Sequence, residues 1–116
     1  MTSRLLSCLE TFRDKVNQHP RLRSLLKGWD RVVLVESSDS GAAYCMPFAA
    51  SEIAEVSPPR EHPGTIIRVR APEQMLCKVF SGELNPATAF LNGELQVFAD
   101  DRDQVKLDAI TLVLWD

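Results

Sequence analysis

Three cysteines, two histidines and a cluster of aspartates are the side chains of this 116-residue chain that chemistry would recruit first. Cys8, Cys45 and Cys77 stand far apart, odd in number and without a Cys-x-x-Cys pair. That pattern argues against a disulfide framework and against a zinc site. It leaves three reduced, buried thiols, none with a sequence neighbour that marks a depressed pKa. His19 and His62 each precede a proline, in turns expected to be exposed, and no His-x-x-x-His or Glu-x-x-His spacing supplies further ligands. Asp100, Asp101, Asp103 and Asp108 lack the central glycine and terminal glutamate of a calcium loop and read more simply as the capped start of a helix. No Gly-x-Ser-x-Gly, phosphate-binding glycine loop or dinucleotide fingerprint is present. The expectation is a protein that is not an enzyme and carries neither metal nor cofactor. An enzyme using Cys77 or a histidine is a rival that a depressed thiol pKa in a polar cleft would favour.

The chain is of single-domain length, residues 1–116, and can bury roughly two-thirds of its unfolded surface, enough for a core plus a modest cavity. No run of about 18 apolar residues could span a membrane. The amino terminus lacks the apolar core of a signal peptide, and the chain does not end in Ser-Lys-Leu, so a cytoplasmic location is expected. Net charge is −3 but uneven: Arg4, Arg13, Lys15, Arg21, Arg23, Lys27 and Arg31 crowd the first 31 residues. A basic segment on an acidic body suits transient contact with an anionic membrane surface; a solvated helix face is the blander reading. The acidic total and the few aromatics argue against nucleic acid as a partner.

Periodicity supplies the framework. Leu5, Leu6, Leu9, Phe12 and Val16 share one face of a helix that Ser3 can cap and His19-Pro20 ends. A short second helix fits Arg21 to Lys27, stopped by Gly28. Arg31 to Glu36 and Ala42 to Phe48 read as a hairpin around the turn Ser37 to Gly41. Ala49 to Val56 reads equally as a strand or a helical turn, and Ser57 to Gly64 is a proline-rich loop. Thr65 to Arg70 is a strand, with Ile67 and Val69 on one face. Pro72 opens a helix bearing Met75, Leu76, Val79 and Phe80, stopped by Gly82. Asn85 caps a short helix through Ala89, Phe90 and Leu91 that ends at Gly93. Glu94 to Ala99 alternates as a strand. Asp100 or Asp101 then caps a last helix whose apolar arc, Val105 to Trp115, exceeds one face. Such a helix is expected to be buried, or to cover a pocket or a partner. A homodimer would be one way to bury Leu112-Val113-Leu114-Trp115.

The stretch Val79 to Asp100, VFSGELNPATAFLNGELQVFAD, reads as helix, tight turn, short apolar helix, turn and strand. It resembles the sterol carrier protein type-2 domain, a sterol- and lipid-binding family. The match is good over Thr65 to Leu107 and rests on element order before that. Ala99-Asp100 stands where the family often has Gly-Asp. The resemblance implies an α+β fold, a mostly antiparallel five-stranded sheet with helices packed on one side. It also implies a carrier or sequestering protein for an apolar small molecule such as a sterol, fatty acyl chain or quinone. A cavity of roughly 300–1,000 Å³ would hold the ligand. Leu76, Phe80, Phe90, Leu91, Val97, Leu112 and Trp115 are the expected lining, although a packed core would look the same in sequence. The last helix would move to admit the ligand. The alternative is a non-catalytic accessory subunit in a pathway handling lipophilic intermediates, with Leu107 to Trp115 as its docking surface.

Overall fold

The computed structural model describes residues 4–59 and 66–115, the last without its side chain. The Ser3 cap, Thr65, His62 and the side chain of Trp115 lie outside the described residues. Helices α1 (Arg4–Gln18) and α2 (Pro20–Leu25) lead into strands β1 (Arg31–Ser37), β2 (Ala43–Ala49), β3 (Glu52–Ile53) and β4 (Ile66–Ala71). Helices α3 (Glu73–Ser81) and α4 (Pro86–Leu91), strand β5 (Gln96–Phe98) and helix α5 (Asp101–Trp115) complete the described chain.

The five strands form one sheet in the order β3-β2-β1-β4-β5. It is mixed rather than mostly antiparallel: β1 and β4 run parallel at its centre, Val33 opposite Ile67 and Val35 opposite Val69. The reason lies in the edge. After the β1–β2 hairpin, the chain turns back along β2, pairing Ile53 with Phe48 and then Ser57 with Cys45. It must therefore cross the sheet before β4 starts opposite Val32, and a crossover yields a parallel pair. Pro47 explains the interrupted edge. It lacks an N–H, and its carbonyl accepts from Ala54 on the β3 side at 2.9 Å. The ladder breaks there and resumes three residues later.

One sheet face carries Val33, Val35, Met46, Phe48, Ile67 and Val69, all in a single buried cluster with Leu5, Leu9, Phe12 and Val16 of α1 and Leu76, Val79 and Phe80 of α3. The other face is open at Ile66 and Phe98 and bears the Arg68–Glu36 ion pair. The helices thus cover one side. Long-range caps fix their ends. The Asp39 carboxylate, in the β1–β2 turn, accepts from the Glu73 N–H at 3.0 Å and the Ser37 hydroxyl at 2.8 Å. It thereby caps α3, where Pro72 stands before the first helical residue rather than within it. Asn85 accepts from the Ala87 N–H at 2.8 Å and Asp100 from the Asp103 N–H at 2.9 Å, starting α4 and α5.

Three expectations change. His19 is half-buried, not exposed, because it joins α1 to α2 against the core. Cys8 is only half-buried, whereas Cys45 and Cys77 are buried. The broad apolar arc of α5 does not bury the helix: among its described apolar side chains Ile110 is buried, while Val105 and Leu112 are each 67% exposed.

Candidate functional site

The space between sheet and helices holds a cavity of about 260 Å³. Its floor is the sheet, through Val33, Met46, Phe48, Val69 and Val97. Phe12 of α1 and Val79 and Phe80 of α3 close one side; α4 and α5 close the other through Phe90, Leu91, Leu107 and Ile110. The buried residue of α4 is Ala89, which packs into the core cluster and does not line the cavity. The bulkier Phe90 and Leu91 sit at the rim instead, 43% and 82% exposed. The cavity lies between the sheet and the part of α4 that carries Pro86, Ala87, Phe90 and Leu91.

Polar groups enter the lining from one source. Gln104, Asp108 and Thr111 face the cavity from α5, and their i, i+4, i+7 spacing makes them one stripe of that helix. Gln104 donates its amide to the Ala99 carbonyl at 3.2 Å, and the Thr111 hydroxyl donates to the Asp108 carbonyl at 2.9 Å. Gln104, half-buried, and Asp108, exposed, thus bring acceptor groups to the α5 edge of the cavity. No lysine, arginine or histidine lines the cavity among the described residues. Asp108 and Thr111, with Pro86 and Ala87, also border a shallower outer groove of about 500 Å³ that includes Leu84 and Leu112. The gap between α4 and α5 is therefore shared by an apolar interior and a wetter exterior.

Of the residues expected from sequence, Phe80, Phe90, Leu91 and Val97 line the cavity. Leu76 is fully buried in the core and is not part of the lining, and Leu112 borders the outer groove. Trp115 falls outside the described side chains. Sequence reasoning missed the contributions of Phe12, Met46, Phe48 and Ile110, and the polar stripe. The stripe had a signal: Gln104, Asp108 and Thr111 stand at helical spacing among the apolar residues of the last helix.

The first turns of α5 are firmly held. Asp103, 1% exposed, accepts from the Trp29 indole N–H at 2.9 Å and from the Arg31 guanidinium at 3.2 Å. Lys106 donates to the Leu25 carbonyl at 3.0 Å. Trp29 in turn packs edge-on against Phe48, ring centres 5.3 Å apart. Arg31 is thus withdrawn from the basic amino-terminal segment, and Arg23 pairs with Glu52. Cys77 is not in the lining. Burial, and next the neighbouring Cys8 sulfur, push its thiol up to about 12, so it does not stand as a resting thiolate to start a reaction. Among the described residues no three His, Cys, Asp or Glu side chains come together to hold a metal ion.

This layout decides the fold. It is that of sterol carrier protein 2. Sterol carrier protein 2 from Yarrowia lipolytica, in its apo form, superposes with a TM-score of 0.60 at 13% identity, over 99% of this chain and 97% of that one. UbiJ, a ubiquinone synthesis protein, superposes with a TM-score of 0.65 at 19% identity, over 100% and 98%. The inverting sec-alkylsulfatase of a Pseudomonas species contains a similar unit, with a TM-score of 0.60 at 16% identity over 81% of this chain but 14% of that one. No protein-family model matches the chain, and no curated protein matches it in sequence. Ala99, at the expected Gly-Asp position, lacks the positive φ that would demand glycine, so the fold accommodates it.

Proposed function

We propose that this protein carries or sequesters an uncharged apolar molecule with one hydrogen-bonding end. The observation that supports this is the cavity: apolar on every side, with acceptors on a single helix beside the gap to solvent. The apolar body lies inward toward Phe12, Met46 and Phe48. The polar end points out toward Gln104, Asp108 and Thr111. Each buried methylene contributes about 0.8 kcal/mol, so a chain of about a dozen carbons can exceed the cost of association. A hydroxyl or phenol donates to the stripe. A carboxylate meets the Asp108 charge with no cation to offset it. Near a wetted surface that repulsion is about 1 kcal/mol, or about fivefold in affinity. At about 260 Å³ the space falls just below the usual range of small-molecule pockets. A fused-ring ligand such as a sterol therefore requires α5 to swing outward from its anchored first turns. Binding is reversible and non-covalent, and the protein acts without catalysis.

Calorimetric titration with dodecanol and dodecanoate tests this reading. Dodecanol binds more tightly than dodecanoate, and Asp108→Asn narrows the difference. Failure of both to bind overturns the reading.

A second reading is supported by Leu91 and Leu112, apolar and exposed on either side of the gap, together with the end-to-end likeness to UbiJ. Here the chain is an accessory subunit that presents the α4–α5 surface to proteins handling lipophilic intermediates. Leu112→Glu, outside the cavity lining, separates the two: it leaves dodecanol binding and cellular function intact on the first reading, and abolishes function with dodecanol binding intact on the second.

A further inference from the structure

We infer that Cys8 and Cys77 are a modification site, a thiol pair that closes to a reversible disulfide clamping α1 to α3. Their sulfurs lie 2.7 Å apart, so a bond length of about 2.05 Å is within less than about 1 Å of movement. The two residues are 69 positions apart in sequence and on different helices. Their approach is therefore a product of the fold rather than of local chain geometry.

The neighbouring contact supports the placement. Cys8 and Phe12 are four residues apart on α1, and Cys77 and Phe80 three apart on α3, so each pair shares a helix face. Phe12 and Phe80 meet edge-on, ring centres 5.0 Å apart and planes at 78°. The thiols and the rings are successive rungs of one helix–helix seam, and the ring rung lines the cavity. Two helices whose faces already meet at both rungs leave only that small movement of the sulfurs to form a bridge. Cys45 serves as an internal control. It alternates with Met46 along β2 and faces away from the helices, where its backbone pairs with Ser57.

The chemistry is thiol–disulfide exchange with a low-molecular-weight disulfide as oxidant. The half-buried Cys8, as thiolate, attacks one sulfur of that disulfide and expels a thiolate, which takes up a proton. Cys77 then attacks the Cys8 sulfur of the mixed disulfide as its proton passes to the departing small thiolate; its raised pKa makes this the slower step, and the 2.7 Å approach of the two sulfurs favours it. The Cys8–Cys77 bond forms and the second small thiol leaves. Two protein thiols are oxidised, and one small disulfide is reduced to two thiols. The bridge fixes the α1–α3 wall and leaves the α4–α5 side as the movable wall.

The test incubates the full chain with excess oxidised glutathione, alkylates it under denaturing conditions and maps the peptides. A Cys8–Cys77 cross-linked peptide with Cys45 alone alkylated is the expected result. The thermal midpoint then rises by on the order of 10 °C and falls again with dithiothreitol. Cys8→Ser and Cys77→Ser abolish the rise, whereas Cys45→Ser keeps it, each compared with its own reduced form. Alkylation of all three cysteines, a glutathione adduct that persists on Cys8, or a bridge involving Cys45 overturns the inference.

Discussion

The two walls of the cavity are held to the sheet in different ways. On the α1–α3 side, Leu5, Leu9, Phe12 and Val16 of one helix and Leu76, Val79 and Phe80 of the other are buried in the same cluster as the sheet. On the α4–α5 side, each helix buries one apolar side chain, Ala89 and Ile110, while Leu91 and Leu112 remain exposed. The first wall is held by apolar burial along its length. The second is held by fewer buried side chains, with Leu107, Val113 and Leu114 of α5 only partly buried against the core, and by the polar anchors Asp103 and Lys106 in the first turns of α5. Apolar burial is spread along an element and resists local opening, whereas a few polar anchors at one end leave the remainder free to swing. A carrier needs both: a permanent apolar surface, and a wall that can part from it.

The sharpest contrast should come from leucine truncations. Leu76→Ala, in the buried wall, costs about 3 kcal/mol in urea unfolding, whereas Leu112→Ala stays within about 0.5 kcal/mol. Similar losses would erase the difference between the walls. Removing the polar anchor comes next. Asp103→Ala leaves the Trp29 N–H and the Arg31 guanidinium without their acceptor and costs about 2 kcal/mol. Hydrogen exchange should then quicken through α5 but not through α1. Uniform quickening would mean that Asp103 supports the whole fold rather than one wall.

Filling the cavity probes the space between the walls. Val97→Trp adds an indole to the floor, and because the α4–α5 side can give, the protein stays folded while dodecanol affinity falls at least about tenfold. Unchanged affinity would place the ligand elsewhere. The smallest effect concerns Asp39, whose cap on α3 belongs to the firm wall. The Glu73 N–H, and next the Ser37 hydroxyl, hold its carboxyl below the ordinary value of 3.8. Its contribution is therefore fully present above that value and is lost as pH falls through the lower, folded value. Asp39→Asn should lower stability slightly near neutrality, with the difference from the wild type vanishing as pH falls through that acidic window. A difference that persists unchanged below the window would contradict the cap.

Much of this was legible from the chain. Glycine and proline punctuation, the Asn85 and Asp100 caps and the apolar periodicity of α1 and α3 are local signals, and the structure follows them. What stayed hidden depends on contacts between distant segments. The tight turn between β2 and β3 uses Ala50 and Ser51 at φ of 54° and 65°. Hairpin turns of that type favour Asn-Gly, so composition could not announce it. The parallel β1–β4 pair depends on where the chain crosses the sheet, which no alternation pattern records. Asp103 looks like any aspartate in the first turn of a helix; its role exists only because Trp29 and Arg31 arrive from elsewhere. The cavity itself was half legible. Phe80, Phe90, Leu91 and Val97 emerged from the motif, but Leu76 and Phe80 have the same apolar character in sequence. One is fully buried in the core and the other lines the cavity, and that difference is tertiary.

Native mass spectrometry of the purified protein, followed by organic extraction of anything released, tests the central claim most directly. The account predicts an uncharged apolar molecule at close to one per chain, absent from Val97→Trp. A clean apo mass, unchanged after incubation with long-chain alcohols, sterols and quinones, would contradict it.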